Sequence, residues 1–139
     1  MSADERRAMS NRGTIQLFDS KVLEQTRHPG DQFVLKVSAP AAATAARAGT
    51  FAHIQCDASI PMRRPLSIMT ADAGSLEFLY RPIGPGLRAL SKKVPGEKIN
   101  LLAPIGNGFS FDPERPRVLA LGGGVGIPPM LMLAQRLKD

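Results

Sequence analysis

Apolar and polar residues alternate in short runs over the first hundred positions, and that period predicts strands. Phe33, Leu35 and Val37 alternate with Val34, Lys36 and Ser38, the pattern of a half-buried strand. Residues 14–24 alternate loosely through Ile15, Leu17, Val22 and Leu23, with a break at Asp19-Ser20, and predict a first strand with a bend. Residues 49–56 predict a third strand, 64–70 a fourth, 76–81 a fifth and 98–103 a sixth. Turn chemistry separates several of them, at His28-Pro29-Gly30-Asp31, Asp72-Ala73-Gly74 and Val94-Pro95-Gly96-Glu97. The alanine-rich stretch 39–48, framed by Pro40 and Gly49, reads as a loop or one loose helical turn. Residues 86–92 read as a short helix with Leu87 and Leu90 facing the core. Short strands at this spacing predict a closed, six-stranded antiparallel barrel, an arrangement that removes exposed sheet edges.

The pattern changes after Phe111. Asp112-Pro113-Glu114-Arg115-Pro116 has the composition of a linker. Arg117-Val118-Leu119-Ala120-Leu121 is a continuous apolar run, as expected of a buried parallel strand. Gly122, Gly123, Gly124 and Gly126 follow, and residues 128–138 read as a helix. Together these form the opening strand–turn–helix of a nucleotide-binding βαβ unit. One strand and one helix cannot make a doubly wound sheet, whose crossover returns to a second parallel strand. The expected division is a flexible tail over 1–13, a barrel over 14–111, a linker over 112–116 and the incomplete start of a second domain over 117–139.

Composition narrows the chemistry. The 139 residues carry one cysteine, Cys56, which excludes an internal disulfide and a cysteine-ligated metal cluster held by this chain alone. No metal ligand set is expected here. No apolar run reaches the 18 or so residues of a membrane helix, and the polar N-terminus has no apolar signal core. The expected compartment is the cytoplasm. The net charge of +6 raises the question of nucleic acid, yet the basic residues are scattered and aromatics are 5%. A solvated basic surface is the expectation, with no nucleic-acid and no membrane partner.

The chemistry-bearing stretch is Arg64-Pro65-Leu66-Ser67. It sets a fixed cation with a planar fork beside a donor-free Pro65 and a hydroxyl. An arginine alone is usually just solvated; the motif context lifts this one above that. The stretch resembles the R-x-x-S flavin-binding motif of the ferredoxin–NADP reductase superfamily. Three more segments fit the same family in order: residues 79–87 (Leu-Tyr-Arg-Pro-Ile-Gly-Pro-Gly-Leu), 104–109 (Pro-Ile-Gly-Asn-Gly-Phe) and 122–129 (Gly-Gly-Gly-Val-Gly-Ile-Pro-Pro). The resemblance is greatest to the branch of electron-transfer subunits that serve a heteromeric dihydroorotate dehydrogenase.

The resemblance implies an FAD-binding antiparallel Greek-key barrel followed by an NAD(P)-binding domain. It implies that Arg64 binds the flavin's pyrophosphate and that Ser67 sits beside flavin N5, with Pro65 and Leu66 completing the strand. Tyr80, Arg81, Gly86 and Leu87 are implied as further cofactor contacts. The family often has an aromatic where Leu66 stands and a threonine where Leu87 stands, so ring stacking and one side-chain hydroxyl are missing. Gly122, Gly123, Gly124 and Gly126 are implied to cradle a nicotinamide dinucleotide's pyrophosphate. Electrons would pass between NAD(P)H, FAD and a 2Fe-2S cluster whose ligands lie outside this chain. The implied partner is a catalytic flavoprotein subunit of the dihydroorotate dehydrogenase kind, or another redox protein. Two alternatives stay open: a reductase component of a hydroxylase, hydrogenase or sulfite reductase, and a non-redox binding barrel. Tyr80 reads equally as a ligand contact or a strand aromatic. His53 reads as a structural strand residue more readily than as an acid or base, and Cys56 as a small buried hydrophobe. Arg63 is expected to face solvent.

Overall fold

A computed structural model describes residues 13–112, 114–115 and 117–138. Seven strands form one curled antiparallel sheet: β1 (Gln16–His28), β2 (Gln32–Ser38), β3 (Phe51–Gln55), β4 (Arg64–Ser67), β5 (Thr70–Asp72), β6 (Ser75–Tyr80) and β7 (Lys98–Ile105). Their order across the sheet is β4-β3-β7-β1-β2-β6-β5. Helix α1 (Pro40–Ala45) follows β2, α2 (Gly84–Leu90) follows β6, and α3 (Ile127–Arg136) closes the described chain behind a 3₁₀ turn at Gly124–Gly126.

The expected barrel is present as a curled sheet of seven strands where six were expected, and among the described residues no ladder closes it. The predicted fourth strand, 64–70, is divided at Ile68-Met69. Ile68 donates its amide to the Thr50 carbonyl on the β3 side (3.1 Å), and Met69 donates to Glu77 on the β6 side (2.8 Å). One segment therefore supplies both edges of the sheet, β4 to β3 and β5 to β6. The sheet must curl until those edges meet, and buried Ile68 plugs the join. Past that join, among the described residues, β4 has no ladder partner on its second side.

The first strand bends, but not at Asp19-Ser20, which pair regularly with β7; the irregularity lies between Val22 and Glu24, where the β1–β2 register shifts and Leu23 is left over. A bulge of this kind bends its strand. The N-terminal half of β1 thus pairs with β7, and the C-terminal half with β2. Val22, Leu35, Val37, Ile54, Phe78, Leu90 and Leu101 fill the interior, each 1% exposed or less. Burying side chains of this size contributes roughly 1.5–3 kcal/mol apiece, so this core carries the fold. The alanine stretch forms a six-residue helix, α1, whose Ala42 is buried.

Residues 117–121 form no strand, which corrects the expected βα unit. A strand needs a neighbour to take its backbone hydrogen bonds, and none lies beside it among the described residues. Leu119 and Leu121 are consequently 82% and 79% exposed. The glycine turn and the helix of that unit are present. Helix α3 seats Met132 and Leu133 in the barrel's own core cluster, and Arg136 donates to the Ala46 carbonyl at the end of α1 (2.7 Å). The two prolines of the expected linker lie outside the described residues. Asp112 accepts the amide of Glu114 at its carboxylate (3.0 Å) and that of Arg115 at its carbonyl (3.0 Å). The expected tail, 1–13, lies outside the described residues except for Gly13.

Candidate functional site

β4 carries the candidate site because its register sorts its four side chains. Residues directly opposite in an antiparallel pair share a face. Leu66 faces Ala52 and Arg64 faces Ile54, on the inner side. Pro65 faces His53 and Ser67 faces Phe51, on the outer side. Leu66 accordingly packs against the core cluster and is not presented as a flat cover for a ring. Phe51 and His53 form a tilted pair on the outer face beside Ser67, ring centroids 5.6 Å apart.

The two adjacent arginines differ in what they touch. Arg63, expected to face solvent, is half-buried and reaches across β3 to β7. Its guanidinium donates to the carbonyls of Asn100 (3.2 Å) and His53 (3.4 Å) and to the Asn100 side chain. Asn100 in turn donates to Asp19 on β1 (2.9 Å). Arg63 is thus spent holding strands together. Arg64 has a single contact at the limit of hydrogen bonding, to the Arg63 carbonyl (3.5 Å). No carboxylate pairs with it among the described residues. A half-buried guanidinium without an anion is a group able to receive one.

The Arg64 side chain runs across the start of α2. A β-carbon built on Gly86 would stand 3.2 Å from Arg64 Nε and 3.4 Å from its Cγ. Glycine at 86 therefore lets the arginine lie flat on the helix backbone. The Ser67 hydroxyl, also half-buried, makes no hydrogen bond to another described residue. Two unspent polar groups thus stand along the unpaired edge of one short strand. Arg81 is exposed at the mouth of the loop, whereas Leu87 turns its side chain to the core. At position 87 only the backbone is on offer.

Tyr80 is buried, and its hydroxyl donates to Gln25 Oε1 at 2.7 Å. Burial pushes its phenol well above the usual tyrosine range. The side chain therefore supports the site from beneath. Cys56 is buried as well. Desolvation pushes the thiol up to about 11 against the opposing pull of the Arg64 charge, so the free thiol is protonated near neutral pH and a poor nucleophile.

At the second expected site Gly122 packs tightly, since a β-carbon there would come within 2.8 Å of the Gly126 carbonyl oxygen. Gly124 takes φ +55°, and Gly123, Gly124 and Gly126 have open space around them. Among the described residues no hydrogen bond joins this turn to Arg64 or Ser67. Two clefts of about 500 and 560 Å³ lie elsewhere, the first against α2 at Asp57, Arg88, Lys92 and Lys93, the second between β5, β6 and α3. The β4 site is an open edge and not one of these clefts.

Sequence reasoning missed Arg63 and Gln25. Nothing in a motif marks either. Gln25 has one sequence-level signal, a polar side chain at a position that register puts opposite buried Leu35.

No protein-family model matches the chain. Solved structures share its fold. It superposes on the NADH-dependent reduced ferredoxin-NADP oxidoreductase with a TM-score of 0.76 and 26% identity, over 86% of this chain and 44% of that one. It superposes on phthalate dioxygenase reductase with a TM-score of 0.72 and 18% identity, over 88% of this chain and 40% of that one. The architecture is that of the ferredoxin–NADP reductase superfamily. More particularly, the sequence is like that of the electron transfer subunit of dihydroorotate dehydrogenase B (NAD(+)). It is 33% identical to the Desulforamulus reducens protein over 127 residues, 88% of this chain and 48% of that one. It is 40% identical to the Geobacillus thermodenitrificans protein over 97 residues, 66% of this chain and 38% of that one. The chain thus spans about half the length of these relatives or less.

Proposed function

We propose that this chain binds FAD along β4 and the 80–87 segment, as the flavin-holding part of an electron-transfer subunit. The whole protein would pass electrons between a nicotinamide dinucleotide, FAD and an iron–sulfur centre, on behalf of a catalytic subunit that oxidises dihydroorotate. The likeness to dihydroorotate dehydrogenase B subunits supports the physiological role. The observation that carries the flavin reading is the pair of unspent groups, Arg64 laid over Gly86 and Ser67 on the same unpaired edge.

The residues present suit the cofactor. Arg64 offers a forked cation for the pyrophosphate, and the missing side chain at Gly86 lets that cation lie against the start of α2. Ser67 has a hydroxyl that can donate or accept, so it can serve flavin N5 whether or not that atom carries a proton. Bound FAD supplies the redox chemistry itself, accepting two electrons and releasing them singly. The protein's share is to hold and orient. In the whole protein the turn at Gly122–Gly126 would take a phosphate of the nicotinamide dinucleotide. Cys56 is the one cysteine of the 139 residues, too few to hold a cluster, so cluster ligands would come from elsewhere.

The test is titration of the purified chain with FAD, followed by flavin fluorescence and by the visible spectrum. Saturable binding that shifts the flavin bands is expected. Failure to bind FAD at all would overturn the reading and leave a non-redox barrel.

A further inference from the structure

One side chain outside every motif clasps the segment that bears the candidate site. Gln25 sits on β1, and its Nε2 donates both protons, to the Leu90 carbonyl at 2.9 Å and to the Lys93 carbonyl at 2.8 Å. Its Oε1 accepts the Tyr80 hydroxyl at 2.7 Å. Tyr80 is where the chain leaves the sheet, and Leu90 and Lys93 are where it finishes α2. A single carboxamide therefore ties both ends of the 80–93 excursion to the barrel wall. The last carbonyls of a helix have no partner within it, and here Gln25 takes one of them along with one from the following turn. The first half of this excursion contains Gly86, the surface on which Arg64 lies.

We infer that Gln25 is a positioning residue for cofactor binding: by fixing α2 at its far end it fixes the seat of Arg64, and through Arg64 the hold on the FAD pyrophosphate. The inference rests on the FAD reading above. Three hydrogen bonds on one amide allow one arrangement of helix and strand. A glutamate in its place keeps the size and the acceptor for Tyr80 but turns two donors into acceptors facing two carbonyls. The helix then loses its anchor, and the cost falls on whichever ligand group depends on Arg64.

Gln25→Glu distinguishes this role from general support of the fold. FAD and riboflavin share the ring, and only FAD has the pyrophosphate. In the variant FAD affinity should fall roughly tenfold, the worth of about two neutral hydrogen bonds, while riboflavin affinity stays within about twofold of the parent's. Tyr80→Phe, which removes only the hydroxyl, should show the same selectivity at a smaller amplitude, and it keeps the test decisive should Gln25→Glu fail to fold. Equal losses for FAD and riboflavin in both variants would reduce Gln25 to a structural residue and overturn the inference. Unchanged FAD affinity in either folded variant would overturn it as well. A parent chain that binds FAD no more tightly than riboflavin would instead sink the pyrophosphate reading, and this inference with it.

Discussion

Arg64 lies flat against Gly86, close enough that a β-carbon at 86 would come within 3.2 Å of Arg64 Nε. The contact joins two segments that sequence motifs place apart, an arginine of β4 and a glycine of α2. The packing of Arg64, and not the helix, asks for glycine at 86. Gly86 has no left-handed φ, so an alanine there is unstrained in the backbone. Gly86→Ala is therefore expected to move stability and affinity in opposite directions. Replacing a helical glycine by alanine stabilises by about 0.5–1 kcal/mol, while the displaced guanidinium should weaken FAD severalfold. Thermal melts and FAD titrations on the same preparation read both. A higher melting temperature with unaltered FAD affinity would show that Arg64 is not held there for the cofactor.

The neighbouring arginines should separate just as cleanly. Arg64→Ala is expected to weaken FAD by about 1.5–3 kcal/mol, the range for a hydrogen bond to a charged group, with little effect on folding. Arg63→Ala should do the reverse. It removes a donor from the carbonyls of His53 and Asn100 and should lower unfolding free energy by about 1–3 kcal/mol. FAD affinity would stay near the parent's. Denaturant titrations paired with FAD titrations on both variants decide this; exchanged outcomes would mean that Arg63 holds the phosphate.

How far the sequence can be read follows from the range of each interaction. The strands are legible because period and turn chemistry are local: Leu35 and Val37 alternate, and Asp72-Ala73-Gly74 turns as expected. The division of 64–70 is not legible, because it depends on which strand each amide meets, Thr50 for Ile68 and Glu77 for Met69. Arg64 and Ser67 stand out through their motif. Arg63 does not face solvent as expected, because its partner, Asn100, lies 37 residues away. Gln25 stays hidden because its partners lie 55 to 68 residues away. The run 117–121 has a strand's composition without a strand's partner, and composition alone does not reveal that.

That run makes its own prediction. Leu119, Leu121 and Val125 are 82%, 79% and 91% exposed and follow one another closely along the chain. Exposed large apolar side chains promote association where they form a patch. The 139-residue chain should self-associate as its concentration rises, and Leu119→Asp combined with Leu121→Asp should shift it toward monomer. Sedimentation velocity across a concentration series is the measurement. A parent that stays monomeric throughout would show that these side chains are covered in solution.

Cys56 gives the chain a pH signature on the alkaline side. Burial raises its thiol from 9.0 to about 11, with the Arg64 charge opposing. A thiol whose folded pKa is raised holds its proton in the native state where the unfolded chain has already lost it. Native protein then binds more protons than unfolded protein, and stability falls as pH rises. The contribution is complete below pH 9 and is lost progressively between about 9 and 11, amounting to roughly 2 kcal/mol once solvent screening is allowed for. Tyr80, also raised by burial, adds a further loss that begins above its ordinary value of 10. Cys56→Ala retains Tyr80, whose phenol the Cys56 thiolate also pushes up, so the difference between parent and variant reads the thiol together with its smaller effect on Tyr80. Urea unfolding at intervals from about pH 8 to 11 should show the parent losing stability more steeply than Cys56→Ala, with the divergence starting near pH 9. Parallel curves across that window would mean that water reaches Cys56 in the folded protein.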